Sequence, residues 1–163
     1  MPNLFDQTLE EFNQTLTRKA PEILQVNVGK MCNITCVHCH VNAGPGRKEI
    51  MTLDTVDKIL EWLKDASQIH TVDLTGGAPE MNPHFKHFVR KARSMGKKVI
   101  DRCNLVILEE PGYEEYAEFL AEQKVEIVAS LPCYSAENVE EQRGEGVFDR
   151  CLLYTSPSPR DRG

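Results

Sequence analysis

Three cysteines, Cys32, Cys36 and Cys39, lie within Met31 to His40, MCNITCVHCH, in a C-x3-C-x2-C spacing. Thiolates this close in sequence can converge on one small inorganic object. Each can hold one iron of a cubane 4Fe-4S cluster, whose usual complement is four Cys. The fourth iron is then open to another ligand. The competing chemistry is zinc, a common use of clustered Cys where thiols stay reduced. Structural zinc takes four closed ligands, and no second C-x2-C pair completes a set here. His38 or His40 would have to serve from inside or beside the loop, where the geometry is tight.

Other candidates follow hydrophobic runs. Gly76 and Gly77, in TGGAPE, come directly after His70–Leu74 and precede Glu80. Two adjacent glycines after a strand let a backbone approach a neighbour closely, because no Cβ intervenes. Ser130 ends VEIVAS, and Arg143 opens RGEGVF; an Arg fork suits a carboxylate by bidentate geometry. Cys103 and Cys133 each follow a run that reads as a strand, so both are expected at the same end of a sheet as the clustered cysteines.

The elements that must position these residues read as alternating strands and helices. Phe5, Leu9, Phe12 and Leu16 share one helical face, which predicts a helix over Asn3 to Lys19 covering the core, ended by Pro21. Strands are expected at Ile23–Val28, His70–Leu74, Lys97–Asp101 and Val125–Ser130. Between them, Thr52 caps a helix whose inner face carries Leu53, Val56, Ile59, Leu60 and Leu63; further helices span His84–Met95 and Gly112–Gln123. This alternation predicts an α/β fold with a parallel sheet, and such folds place their chemistry at the carboxyl ends of the strands.

The chain has 163 residues and is 40% hydrophobic, enough for one domain. No run approaches the roughly 18 apolar residues of a membrane span. The start, MPNLFDQTLEEF, lacks the basic and apolar regions of a signal peptide. A net charge of −6 with no basic stripe argues against nucleic acid as the main partner. Six Cys without a secretion signal point to a reducing, cytoplasmic setting.

Taken together, the motifs LQVNVG-x-x-CN-x-x-C-x-HCHV-x-AGP-x-R, TGGAPE, DRCNL, and SLPCY followed by QRG resemble the radical S-adenosylmethionine (SAM) superfamily, most of all its arsenosugar-biosynthesis, Cys-rich type. The resemblance covers Leu24 to Asp149. It implies that the chain holds the first four βα units of a partial (β/α)6 barrel. It implies a 4Fe-4S cluster on Cys32, Cys36 and Cys39, with SAM chelating the open iron through its amino and carboxylate groups. The Gly76-Gly77 backbone would hold the SAM amino group, and Glu80, displaced by Ala78 and Pro79 from the family's GGE pattern, is a further candidate. Ser130 and Arg143 would reach the methionyl part, and His38, standing where an aromatic usually precedes the third Cys, would stack on adenine or lie in solvent. An external electron donor reduces the cluster; SAM is cleaved to methionine and a 5′-deoxyadenosyl radical. In the arsenosugar relatives the deoxyadenosyl group is joined to a dimethylated arsenic(III) species, for which Cys103 or Cys133 would be a soft ligand. A peptide or thiol substrate, or a non-catalytic zinc module, are the alternatives.

Residues 1–22 are thus read as an N-terminal helix and 23–150 as an incomplete radical SAM core. The Ser/Pro-rich run 151–163, CLLYTSPSPRDRG, has no periodic apolar face and is expected to be disordered. It resembles the translation of a sequencing adapter, which would end the native sequence near Arg150.

Overall fold

A computed structural model describes residues 3–155, with the side chains of the final two left aside. Four parallel strands form one sheet in the order β1 (Ile23–Asn27), β2 (Thr71–Thr75), β3 (Lys98–Asp101) and β4 (Glu126–Ile127). The register sets Val26 beside Leu74 and Leu74 beside Asp101. Strand alternation sends Val26, Val72, Leu74 and Val99 into the apolar core. The helices α2 (Leu53–Asp65), α3 (Phe85–Ser94) and α4 (Tyr116–Glu122) supply its other side through Val56, Leu60, Leu63, Phe85, Phe88 and Leu120. Thr52 caps α2 as its sequence position implies, accepting a hydrogen bond from the Thr55 N–H. The far end of α2 is tied to β3 by Lys97, whose buried ammonium donates to the Ala66 and Ile69 carbonyls.

The opposite face is polar. Arg102 grips Asp73 with Nε at 2.9 Å and Nη2 at 2.8 Å, and Gln25 donates to the same carboxylate at 3.0 Å. Burial alone would raise the Asp73 pKa, but these donors and the Arg102 charge outweigh it and hold the carboxyl below its ordinary range.

Four sequence expectations need correction. The N-terminal helix α1 is Leu4–Glu11, capped by the Asn3 side chain, and buries no residue. It stops because the chain turns left-handed at Asn13, so Leu16 falls outside it and Phe5 and Phe12 stay exposed rather than covering the core. The fourth strand keeps only two residues, although hydrogen bonds from Val128 N–H to Asp101 and Ser130 N–H to Cys103 continue its pairing with the segment after β3. The helix before it begins at Tyr116; a short 3-10 turn, Val106–Glu109, follows β3 instead. Finally, α5 (Ala136–Arg143) is followed by α6 (Val147–Thr155), which runs past Arg150. Val147 and Cys151, one helical turn apart, are both buried, and Arg150 anchors the helix on Glu109, Glu110 and the Val106 carbonyl. Residues 151–155 are therefore helical; 156–163 lie outside the described residues.

Candidate active site

β1 ends at Asn27, a few residues before Cys32, so the cysteine loop emerges at the carboxyl edge of the sheet. The loop is held as a folded-back lariat. Lys30 N–H donates to the Glu49 carbonyl, Gly44 N–H to Lys30 and Met51 N–H to Val28. Asn82, itself buried, donates from one amide nitrogen to the carbonyls of Val28 and Met51 and so clamps both ends. Within the loop, Cys39 receives the Ala43 N–H on its sulfur at 3.2 Å, and Asn104 Nδ2 points at the Cys32 sulfur at 3.6 Å.

The glycine pair is a backbone device. Gly77 N–H donates to the Gly29 carbonyl and Ala78 N–H to the Met31 carbonyl. A Cβ on Gly77 would stand 2.1 Å from the Met31 oxygen, and one on Gly76, at φ +143°, would stand 2.5 Å from the Gly29 oxygen. Only residues without a side chain let the β2 loop seat against the cysteine loop.

From the other side, α5 closes the site. Val37 N–H in the loop donates to the Gln142 carbonyl at the end of α5. The next residue, Arg143, is 92% buried (8% exposed) rather than a solvated surface charge. One of its terminal nitrogens donates to the Ser130 carbonyl, while its Nε has no protein partner. Gly144 and Gly146, with φ of +106° and +74°, turn the chain from α5 into α6.

These segments enclose a cavity of about 240 Å³ lined by the three thiols, Gly76, Gly77, Ser130, Arg143 and His38, with Thr75, Arg102, Asn104 and His40. An adjoining cavity of about 330 Å³ runs over Gln25, Asn27, His40, Thr75 and Arg102. A larger one, about 400 Å³, lies at the outer edge between β1 and α2 and holds none of the thiols. Burial raises the Cys32 thiol, and burial raises Cys36 against the lowering field of Arg143.

Three candidate residues are elsewhere. Glu80 does not line the cavity: it follows the glycine pair into a 3-10 turn, Pro79–Met81, that carries it behind the sheet, where it is 1% exposed. Cys103 is fully buried there too, because it falls on the core-facing parity of β3 with Val99 and Asp101. Cys133 is half-buried and outside the cavity lining; its sulfur lies 3.7 Å from the Ser135 hydroxyl and 3.5 Å from the Asn138 amide. Asn104 and Arg102 are cavity residues without an assigned role in the sequence reading, although both sit in DRCNL.

The donor set fits an iron–sulfur cluster. Three cysteines and Arg143 line one cavity. Among the described residues, one triad of Cys, His, Asp or Glu draws its ligand atoms within 4.8 Å, and it is not the loop thiols. A single tetrahedral ion requires such closeness, whereas a cubane spreads its cysteines.

The comparisons agree with this geometry. Residues 26–147 match the family model of the radical SAM superfamily. A probable GTP 3′,8-cyclase of Saccharolobus islandicus is 25% identical over 132 residues, 80% of this chain and 41% of that protein. The mycofactocin maturase MftC of Mycolicibacterium smegmatis is 28% identical over 144 residues, 88% of this chain and 35% of its own length. The chain thus spans about two-fifths or less of these relatives. In fold it is similar to Streptococcus suis SuiB bound to S-adenosylmethionine, with a TM-score of 0.67 at 20% identity over 90% of this chain and 32% of SuiB. These enzymes leave the non-catalytic zinc module without support. The chain belongs to the radical SAM superfamily, whose cofactors are a 4Fe-4S cluster and SAM.

Proposed function

We propose that Cys32, Cys36 and Cys39 hold the cluster and that SAM binds in the 240 Å³ cavity. The convergence of three thiols, a glycine-pair backbone and a buried Arg143 on that one cavity carries this reading. When bound, the two cofactors supply one-electron cleavage of the sulfonium and a 5′-deoxyadenosyl radical. The chain's own residues bind and orient. Arg143, which lines the cavity and is held in place by the Ser130 carbonyl, offers its guanidinium to the SAM carboxylate. Gly76 and Gly77 present backbone to the amino group, and His38 stands at the rim for adenine. Glu80 has no part in this contact.

The complete protein, on this reading, takes its electron from a low-potential donor and joins the deoxyadenosyl group to a dimethylated arsenic(III) species. The motif series from Leu24 to Asp149 supports that substrate. Of the two extra thiols, Cys133 is the better soft ligand. Hydrogen bonds from the Ser135 backbone and hydroxyl lower its pKa, favouring thiolate, whereas burial pushes the Cys103 thiol up. A peptide substrate is the second reading, favoured by the likeness to a mycofactocin maturase and to SuiB, which is known bound to its precursor peptide SuiA.

Anaerobic reconstitution tests the core. About four iron and four sulfide per chain are expected, with an electron paramagnetic resonance signal that SAM perturbs. One zinc and no signal would refute the cluster. For the substrate, a full-length protein is incubated with SAM, reductant and a dimethylated arsenic(III) thiolate. An adenosyl–arsenic product by mass spectrometry supports the first reading; deoxyadenosine formation stimulated only by a peptide supports the second.

A further inference from the structure

The buried groups the SAM site does not use gather at one point behind the sheet. Glu80 arrives from the 3-10 turn after the glycine pair, Asp101 from the end of β3, and Cys103 from two residues beyond. One ligand atom of each lies within 4.8 Å of the others. All three are closed to solvent, at 1%, 0% and 0% exposure. A second observation points to a ligand. All four carboxylate oxygens are buried and receive no amide, hydroxyl or cationic side-chain donor; the side chains that Glu80 meets are Asp101 and Cys103, the other two members of the cluster. Arg102 is committed to Asp73 on the opposite face, and Lys97 to the Ala66 and Ile69 carbonyls. A buried carboxylate without a partner is costly, and two side by side are costlier still.

We propose that Glu80, Asp101 and Cys103 form a buried site for one divalent cation of the zinc type, separate from the cysteine loop. Two carboxylates and one thiolate make a mixed oxygen and sulfur set of the borderline softness zinc accepts. Bonds of about 2.0–2.3 Å to a common ion fall within the observed clustering after small rotamer changes. The sulfur is already received as a ligand thiolate would be: Leu105, at φ +64°, aims its N–H at Cys103 Sγ at 3.2 Å. Burial raises the pKa of all three groups, and the neighbouring Glu80 charge raises those of Asp101 and Cys103 further. Binding therefore releases protons to solvent. The ion would staple the segment following Gly77 to the segment preceding Asn104, and these segments meet the cysteine loop through the Ala78 N–H on Met31 and the Asn104 side chain on Cys32.

The test removes the competing thiols. The 163-residue chain carrying Cys32→Ser, Cys36→Ser and Cys39→Ser is titrated anaerobically with zinc(II) alone. One zinc per chain is expected, with proton release, and at least tenfold weaker binding when Asp101→Asn or Cys103→Ser is added. X-ray absorption should show one sulfur among oxygen neighbours. Failure to retain zinc, or equal affinity in the Asp101→Asn chain, overturns the site and leaves a carboxyl pair sharing a proton. If that variant does not fold, the parent titration decides. A Tm that rises with zinc and a one-sulfur spectrum uphold the site; a zinc-independent Tm overturns it.

Discussion

Gly77→Ala isolates the contact on which the cysteine loop rests. The new Cβ would lie 2.1 Å from the Met31 oxygen, 2.7 Å from the Met31 carbonyl carbon and 3.1 Å from Cys32 Cβ. Two of these are backbone atoms and cannot rotate away, so Met31 must retreat by about 0.9 Å merely to reach the 3.0 Å that real contacts respect. That retreat breaks the Ala78 N–H bond to Met31, 2.8 Å long, and strains the Gly77 N–H bond to Gly29, 3.0 Å long. Overpacking costs about 1–3 kcal/mol and a lost backbone bond about 1 kcal/mol, so the fold should lose about 2–4 kcal/mol. Cys32 moves with Met31, and cluster occupancy should fall with it. Urea unfolding of the cluster-free chain reads the first effect, and iron content after reconstitution the second. Gly46→Ala is the control, since its Cβ meets nothing within 4 Å. A Gly77→Ala chain with the unfolding midpoint and iron content of the Gly46→Ala chain would refute the packing account.

Three further outcomes are expected. Arg143→Lys keeps the charge but loses the fork and its unpartnered Nε, so SAM should bind the reconstituted chain about 10–100-fold more weakly, as loss of a charge-assisted bond implies; equilibrium dialysis measures it, and unchanged affinity removes Arg143 from the carboxylate. Asn104→Leu deletes the donor facing Cys32 sulfur, so the cluster's reduction midpoint should move to more negative potential in a redox titration followed by paramagnetic resonance; an unmoved midpoint denies the contact. Glu80 and Asp101, with folded pKa values raised chiefly by burial, contribute stability that is fully present below about pH 4 and is lost as pH rises through the raised values. Asp101→Asn keeps a donor for Glu80 and removes one titrating group, so the metal-free variant should show a flatter loss of urea stability between about pH 4 and 8; parallel profiles would contradict the assignment.

Local pattern determined much of this protein. The C-x3-C-x2-C spacing singled out the candidate cluster ligands, and the period of two in ILQVNV and HTVDL, alternating with period-3.6 helices, specified parallel strands. The glycine pair announced a close approach without saying to what. Its partner, the Met31 and Gly29 backbone, is 45 or more residues away and became visible only once β1 and β2 paired. The parity of a side chain at a strand's end was also decided in three dimensions. Glu80 and Cys103 look like cavity residues in a motif, but a 3-10 turn and the alternation of β3 send both behind the sheet. Arg143 reads as a carboxylate fork, but its burial at the last turn of α5 and its place in the cavity wall came only from the fold. Cys151 to Thr155, which begin a Ser/Pro-rich run without a periodic apolar face, are helical because α6 packs on the turn after β3. Sequence thus set residue chemistry and local periodicity, which act over a few positions. Tertiary structure set which chemistries meet, because pairing and burial join segments that the chain itself holds far apart.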